Sequence, residues 1–337
     1  MPSDSNQSIL FYRTMIYTKR LILLINFCFV ILQSWGQVAV KDSFKFAPFQ
    51  VPSFGRIERI DSFVSMYVDA RNIDIWLPEN YNDSTRYPVI YMHDGQMLFD
   101  TAHTWNHKEW RVDETMHDLI AARKVPPAIV VGVWNSGKMR HSDYFPEKPF
   151  NYLPQTTQDS VYKALRHTGQ NYFFGKVQSD NYLKFLTTEL KPFIDSTFRT
   201  KPDSMNTAIM GSSMGGLISI YALCEYPHIF GRAGCLSTHW IGVGPNEKFP
   251  IPEAFQKYLK KHLPKSKYHR IYFDYGMVGL DSHYKTHQVL VNRIMKSKGY
   301  SKKNWLTKEF KHDDHTEVAW SKRLHIPLSF LFMHYKY

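Results

Sequence analysis

Thr207-Ala208-Ile209-Met210-Gly211-Ser212-Ser213-Met214-Gly215-Gly216 is the stretch from which the rest of the chain can be read. A short apolar run enters the pattern G-x-S-x-G and leaves it into a helix-forming stretch. So tight a turn brings the positions two before and two after the serine against neighbouring backbone, so both must be small, and its strain lifts the serine hydroxyl above the sheet. Ser213 has glycine at both offsets and Ser212 does not. The same geometry sets Ser213 at a helix N-terminus, where the Met214 N–H and the helix dipole would face a developing oxyanion.

Working outward, short continuous apolar runs alternate with helix-like stretches. Residues 88–92, 128–134, 207–211, 233–236, 270–275 and 304–310 read as strands covered on both faces. Helical patterns occupy 109–122, 181–198, 214–225, 284–298 and 317–334. Ahead of them, 60–68 and 72–77 are rich in β-branched and aromatic residues and end at Pro78-Glu79-Asn80-Tyr81-Asn82-Asp83, as antiparallel strands with turns would. The expected fold is α/β, with a mostly parallel central sheet, helices on both faces, antiparallel N-terminal strands and a ligand site at the strands' carboxyl ends. Two long irregular stretches, 135–180 and 241–268, interrupt the alternation. The first carries Tyr144, Phe145, Phe150, Tyr152, Tyr172 and Phe173, and reads equally as a cap over the site or as core packing.

A serine hydroxyl needs a base, and the order for this strand–turn–helix arrangement is serine, acid, histidine. His315, in the loop after the last strand, is the expected base; His312, one residue beyond that strand, is the alternative. His283, His287, His325 and His334 fall in or beside helical stretches and read as ordinary histidines. The acid follows the preceding strand, Ile271-Tyr272-Phe273-Asp274-Tyr275-Gly276, where Asp281 in the loop is favoured over Asp274, still in the strand. A second oxyanion donor is expected from Tyr91-Met92-His93-Asp94-Gly95-Gln96. Gly95 permits close backbone approach, and the Gln96 N–H is the expected donor. His93 and Asp94 fall outside the triad order and read as groups that fix this loop, or as simple turn chemistry.

The N-terminus differs in character. Arg13, Lys19 and Arg20 precede a dozen mostly apolar residues, 21–32, before Gln33-Ser34-Trp35-Gly36. Twelve residues rise only about 18 Å as a helix, short of a membrane's hydrocarbon core. Residues 1–36 are therefore expected to be a signal peptide cut near Gly36, with an uncleaved anchor as the alternative; 37–56 form an extension and 57–337 the catalytic domain, with 135–180 as its cap or substrate loop. Secretion or a periplasmic location follows. The chain carries a net charge of +12 and, without residues 1–36, 39 basic and 29 acidic residues, or +10. No dense basic run with interleaved aromatics accompanies that charge, so nucleic acid is not an expected partner. Past residue 36 only Cys224 and Cys235 remain, either as buried thiols or as one bridge. No H-E-x-x-H or comparable ligand spacing calls for a metal, and no cofactor is expected.

Together, Ile75-Trp76-Leu77-Pro78 with Tyr81, the Tyr91-to-Phe99 loop, Val131-Gly132-Val133-Trp134-Asn135, Lys191-Pro192-Phe193-Ile194-Asp195, the elbow, the Tyr272-to-Asp281 strand and loop, and His315 with Glu317, Trp320 and Arg323 resemble the putative esterase family of α/β hydrolases. That family includes enterochelin esterases, carbohydrate acetyl and feruloyl esterases, S-formylglutathione hydrolase and mycolyltransferases. The resemblance implies the α/β-hydrolase fold with Ser213 and His315 in the catalytic roles. Relatives often place a glutamate two residues after the strand's glycine, where this chain has Val278. The expected activity is hydrolysis, through an acyl-enzyme, of an acetyl or feruloyl ester of a carbohydrate, with Tyr144, Phe150 and Trp240 as candidate stacking surfaces. Alternatives are a siderophore trilactone esterase, an acyltransferase of the same fold and a non-catalytic binding module. The partner is a small-molecule or oligosaccharide ester.

Overall fold

The computed structural model describes residues 51–333, and their strands form one eight-stranded sheet in the order β1-β2-β4-β3-β5-β6-β7-β8. The strands are β1 Arg56–Phe63, β2 Arg71–Leu77, β3 Val89–His93, β4 Ile129–Val133, β5 Thr207–Ser212, β6 Arg232–Leu236, β7 Arg270–Gly276 and β8 Trp305–Phe310. β1 and β2 pair antiparallel, as do β2 and β4; every pairing from β4 through β8 is parallel. This is the α/β fold the apolar runs imply. β3, β4, β5 and β6 are buried at every residue, as strands covered on both faces must be, whereas β8 at the edge is only partly covered.

The helices are α1 Val112–Ala121, α2 Arg140–Tyr144, α3 Glu147–Phe150, α4 Gln155–Tyr162, α5 Ser179–Lys184, α6 Lys191–Thr197, α7 Met214–Glu225, α8 Ile251–His262, α9 Lys285–Ser297, α10 Glu317–Arg323 and α11 His325–Phe332. A π-helical turn, Phe185–Leu190, joins α5 to α6. α7 is buried along nearly its whole length and packs against β5 and β6, which anchors the elbow at its N-terminus. Cys224 on α7 and Cys235 on β6 are buried free thiols.

Three expectations are corrected. The strand expected at 60–68 runs instead from Arg56 to Phe63, and Ser62, with a left-handed φ of 51°, falls at a shift in its register with β2. The stretch 241–268 contains α8, hidden in the sequence behind Pro250 and Pro252. A proline in the first helical turn forfeits no hydrogen bond, so here it opens a helix rather than excluding one. The helix expected over 317–334 is two helices meeting at Leu324. No described helix is long and apolar enough to cross a membrane. The expected signal segment lies outside the described residues.

Candidate active site

Ser213 sits between β5 and α7 with φ 57° and ψ −122°, a conformation costly for a residue with a side chain. Three backbone bonds brace it: its N–H donates to the Leu236 carbonyl at 2.9 Å, and its carbonyl accepts from His239 at 3.2 Å and Leu217 at 3.1 Å. The flanking glycines are needed by contact. A Cβ on Gly211 would lie 3.0 Å from the Gly215 backbone, and one on Gly215 would lie 3.3 Å from the His93 Cβ. Met214 is the first residue of α7, where a helical amide has no acceptor within its own helix.

The Asp281 Oδ1 lies 2.5 Å from the His315 Nδ1, while its Oδ2 accepts from the Gly276 N–H at 2.6 Å and the Ser237 hydroxyl at 2.5 Å. Burial works to raise the Asp281 pKa, but the His315 and Ser237 contacts and the Gly276 amide outweigh it, and the carboxyl is held below its ordinary value. Gly276 explains how two loops meet here. A Cβ on it would lie 2.2 Å from the Asp313 carbonyl, the same carbonyl that accepts the Met277 and Val278 amides at 3.1 Å each. That junction binds the Asp281 loop to the His315 loop. Val278 is 45% exposed.

Asp274 is a different kind of group. It is fully buried and receives the Arg323 guanidinium at 3.0 and 3.2 Å, the Ser237 amide at 2.9 Å and the Tyr272 hydroxyl at 3.0 Å. Arg323 also donates to the Ser237 hydroxyl at 2.9 Å, as does the Trp320 indole at 3.0 Å. Trp320 presents its ring to His315 at a centroid distance of 5.0 Å. The Asp274–Arg323 pair therefore holds Ser237, and Ser237 holds Asp281. His312 is exposed and does not line the cleft.

Beside Ser213 the described chain builds a second polar pair. The Tyr284 hydroxyl, close to Ser213, lies 2.6 Å from the His239 Nδ1. Burial, reinforced by His315, Arg140 and Arg166, pushes the His239 pKa down to about 3, so its ring is neutral at physiological pH. His239 follows β6 directly. Position beyond the carboxyl end of a parallel strand was the signal that could have marked it.

The loop after β3 lies beside the elbow. Asp94 adopts φ 59° and accepts both arms of Arg140, at 2.6 and 2.7 Å, and the Asn135 amide at 2.8 Å. Burial tends to raise its pKa, but the Arg140 cation wins and lowers it. A Cβ on Gly95 would lie 2.5 Å from the Gly132 backbone, so glycine alone lets this loop lie on β4. Gln96 sits in the 3-10 turn Gly95–Met97 at the cleft, its side-chain carbonyl accepting from the Asn135 amide at 3.2 Å. His93 is buried below the elbow, its Nδ1 2.9 Å from the Tyr182 hydroxyl; burial lowers its pKa to about 3.

A cleft of about 1400 Å³ opens over these groups, lined by Ser213, His315, His239, Gln96 and Met214 and, across from them, by residues of 105–110 and 135–172. Tyr144, Phe150 and Trp240 correct an expectation. They are 0%, 2% and 1% exposed, and Trp240 donates its indole N–H to Gln288 at 2.9 Å, so none can stack on a ligand. Most aromatics of 135–180 pack on one another, although Arg140, His141, Arg166 and Tyr172 from the same stretch do line the cleft. The exposed aromatic at the cleft is Trp105, 81% exposed.

Sequence comparison places residues 66–327 within the family described as putative esterase. The chain belongs to that family. Among curated relatives, this family member is 26% identical over 232 residues to the endo-1,4-beta-xylanase/feruloyl esterase of Xylanibacter ruminicola, a match covering 67% of the chain and 27% of that protein. The matches to the first three curated relatives cover at most 61% of their lengths. Among solved structures, an IroE-like serine hydrolase from Shewanella oneidensis superposes with a TM-score of 0.60 at 20% identity, covering 82% of this chain and 80% of that one. The enterobactin esterase of Shigella flexneri superposes with a TM-score of 0.57 at 16% identity, covering 84% and 60%. These likenesses give the α/β-hydrolase fold.

Proposed function

We propose that this member of the esterase family is a serine carboxylic-ester hydrolase working through an acyl-enzyme. The observation that carries the reading is the Asp281–His315 pair at 2.5 Å in one cleft with a serine held at φ 57° on a glycine elbow. In this reading the Ser213 oxygen bonds to the acyl carbon while its proton passes to the His315 Nε2, and Asp281 holds the imidazole's tautomer through Nδ1. The carbonyl electron pair moves onto oxygen, facing the Met214 and Gln96 amides. When the tetrahedral intermediate collapses, the imidazolium returns its proton to the departing alcohol. Water then repeats both steps, freeing the acid and Ser213.

The substrate proposed is an extracellular acetyl or feruloyl ester of a carbohydrate. The wide cleft, the exposed Trp105 indole and the relationship to a xylanase/feruloyl esterase support it. Export belongs to the same proposal, with residues 1–36 as the signal. N-terminal sequencing of exported material beginning near Gln37 supports that part, and an intact 21–32 segment in the membrane fraction overturns it.

The activity is tested with acetyl, feruloyl and catecholate esters, with and without a serine-directed phosphonate. Hydrolysis that the phosphonate abolishes, lost in Ser213→Ala and kept in Ser212→Ala, is the expected result. Near-wild-type turnover by a folded Ser213→Ala would refute the reading.

A further inference from the structure

The wall facing Ser213 contains an arginine whose charge the protein leaves unanswered. Arg166 lies on a small hairpin closed by the Leu165–Asn171 bridge, the Arg166 amide donating to the Gln170 carbonyl at 2.7 Å. Its guanidinium stands 4.6 Å from the centre of the Tyr172 ring. Tyr172 packs against the His141 ring at a centroid distance of 5.0 Å, and a Cβ on Gly244 would come 3.1 Å from its hydroxyl. Arg166 is thus a half-buried cation on a placed aromatic ring, within the same cleft as Ser213 and His315.

Its neighbour Arg140 makes the contrast. Arg140 is clasped by both oxygens of Asp94, whereas no carboxylate among the described residues lies within ion-pair distance of Arg166. Burial acts against the Arg166 charge, the Tyr172 ring favours it, and the Arg140 cation opposes it, with a net lowering of its pKa. The neutral His141 and His239 rings both feel the two arginines and neutralise neither. Glu247 and Glu317 also line the cleft; Glu317 holds the Asn106 amide at 3.0 Å. A guanidinium with one face on an aromatic ring keeps its in-plane N–H fork free, and that fork matches a carboxylate.

We propose that Arg166 is a specificity determinant for an ester whose alcohol half carries a carboxylate, such as an acylated uronic acid. The inference rests on the esterase reading and assigns the anion by elimination. An acetyl group carries no charge and a feruloyl group's phenol is neutral at pH 7, so the carboxylate belongs to the sugar. Bound there, it supplies the counter-charge that Asp94 supplies to Arg140. Steering by the same cation adds an ionic-strength-dependent gain in encounter rate.

The experiment compares a mono-acetylated methyl galacturonide with the equally acetylated methyl galactoside, which differ only by carboxylate against hydroxymethyl. Enzymes are the wild type, Arg166→Gln, Arg166→Lys and, as a charge control outside the cleft, Lys163→Gln. Titration calorimetry with the unacetylated glycosides accompanies the kinetics. The expected result is a preference of about 10- to 100-fold in kcat/KM for the galacturonide, lost in Arg166→Gln, partly kept in Arg166→Lys and unchanged in Lys163→Gln. Activity on the galactoside stays within about twofold throughout. Equal rates on the two sugars in the wild type overturn the proposal, as does a loss in Arg166→Gln shared by both. A preference confined to an acyl-side pair, 4-nitrophenyl hemisuccinate against 4-nitrophenyl butyrate, overturns it also. If no ester turns over, the esterase reading fails; calorimetry then decides the Arg166 inference by whether galacturonide binding exceeds galactoside binding and depends on Arg166.

Discussion

The two sides of the cleft are held by different means. On the strand side, Ser213, Asp281 and His315 follow the carboxyl ends of β5, β7 and β8; glycines at 211 and 276 permit close backbone contacts, and Gly215 lets the elbow lie against the His93 side chain. Across from them, Trp105, Arg140, Arg166 and Tyr172 come from loops and short helices. The strand side combines main-chain contacts with the Asp274–Arg323–Ser237 network behind Asp281, whereas the other is held by ion pairs and ring contacts such as Asp94–Arg140 and Arg166–Tyr172. In the proposed mechanism, the chemistry, which tolerates little displacement, sits on the strand side. Substrate choice is left to the side whose sequence can vary without disturbing the sheet.

If that division holds, substitutions on the strand side reduce turnover and spare ground-state binding. Asp281→Asn is expected to lower kcat by up to about 10⁴-fold by favouring the wrong His315 tautomer, with KM little changed. Ser213→Ala is expected to cost about 10³-fold or more. Stopped assays on one acetyl ester measure both. A folded, active Asp281→Asn would break the comparison at its centre.

Asp274→Asn separates support from chemistry. It takes one carboxylate partner from the buried Arg323 guanidinium, which keeps Asp313 at 2.8 Å, so the cost should fall below the roughly 3–5 kcal/mol of stranding a buried charge outright. Chemical denaturation should show that loss, and whatever protein stays folded should retain turnover within about tenfold. A stable, inactive Asp274→Asn would move the acid's role from Asp281 to Asp274.

The strand side was also the legible side. The glycine pair around Ser213, the apolar runs and the position of His315 after β8 depend on local constraints that few residue types satisfy, and a single sequence displays them. Asp281 over Asp274 followed from the same logic, since a strand residue's direction is fixed by the pleat. The loop side carried no comparable signal. Tyr144 and Phe150 look like Trp105 in the sequence, because aromatic residues serve a core and a binding surface equally well and burial decides between them. Position after β6 could have marked His239, but Ser237 and Tyr284, and the contacts that join all three to the site, became visible only when the loop after β6 met the one after β7. That meeting is tertiary.

Tyr284→Phe sharpens the comparison where the two sides touch. It removes the hydroxyl close to Ser213 and leaves the His239 Nδ1 without its partner. The expected cost is about 1–3 kcal/mol in stability, that of a buried polar atom left unsatisfied, with kcat within about tenfold of wild type. A drop in kcat as large as that of Asp281→Asn would place Tyr284 among the catalytic residues.

The smallest effect expected concerns the foundations of the loop side. Glu109, beside Trp110 of the cleft wall, is half-buried near Glu114, Asp113 and Asp100, and one of its oxygens is buried without a hydrogen-bond partner. Burial first, then these like charges, push its pKa up to about 7. A carboxyl whose folded pKa exceeds its unfolded value of about 4.3 binds more protons folded than unfolded between those limits. Stability from this group therefore declines as pH rises from about 4.3 to about 7, and the penalty is complete above that. Glu109→Gln removes the charge and keeps the shape. Its melting temperature should exceed the wild type's at pH 8, by a margin reduced because the site is partly solvated, and come close to it at pH 4. Hydrolysis of an acetyl ester should be unchanged, since the strain lies under the loops and the chemistry hangs from the sheet. A variant with the same advantage at both pH values would show that packing rather than charge is responsible; one with altered kcat would show that the two sides of the cleft are coupled.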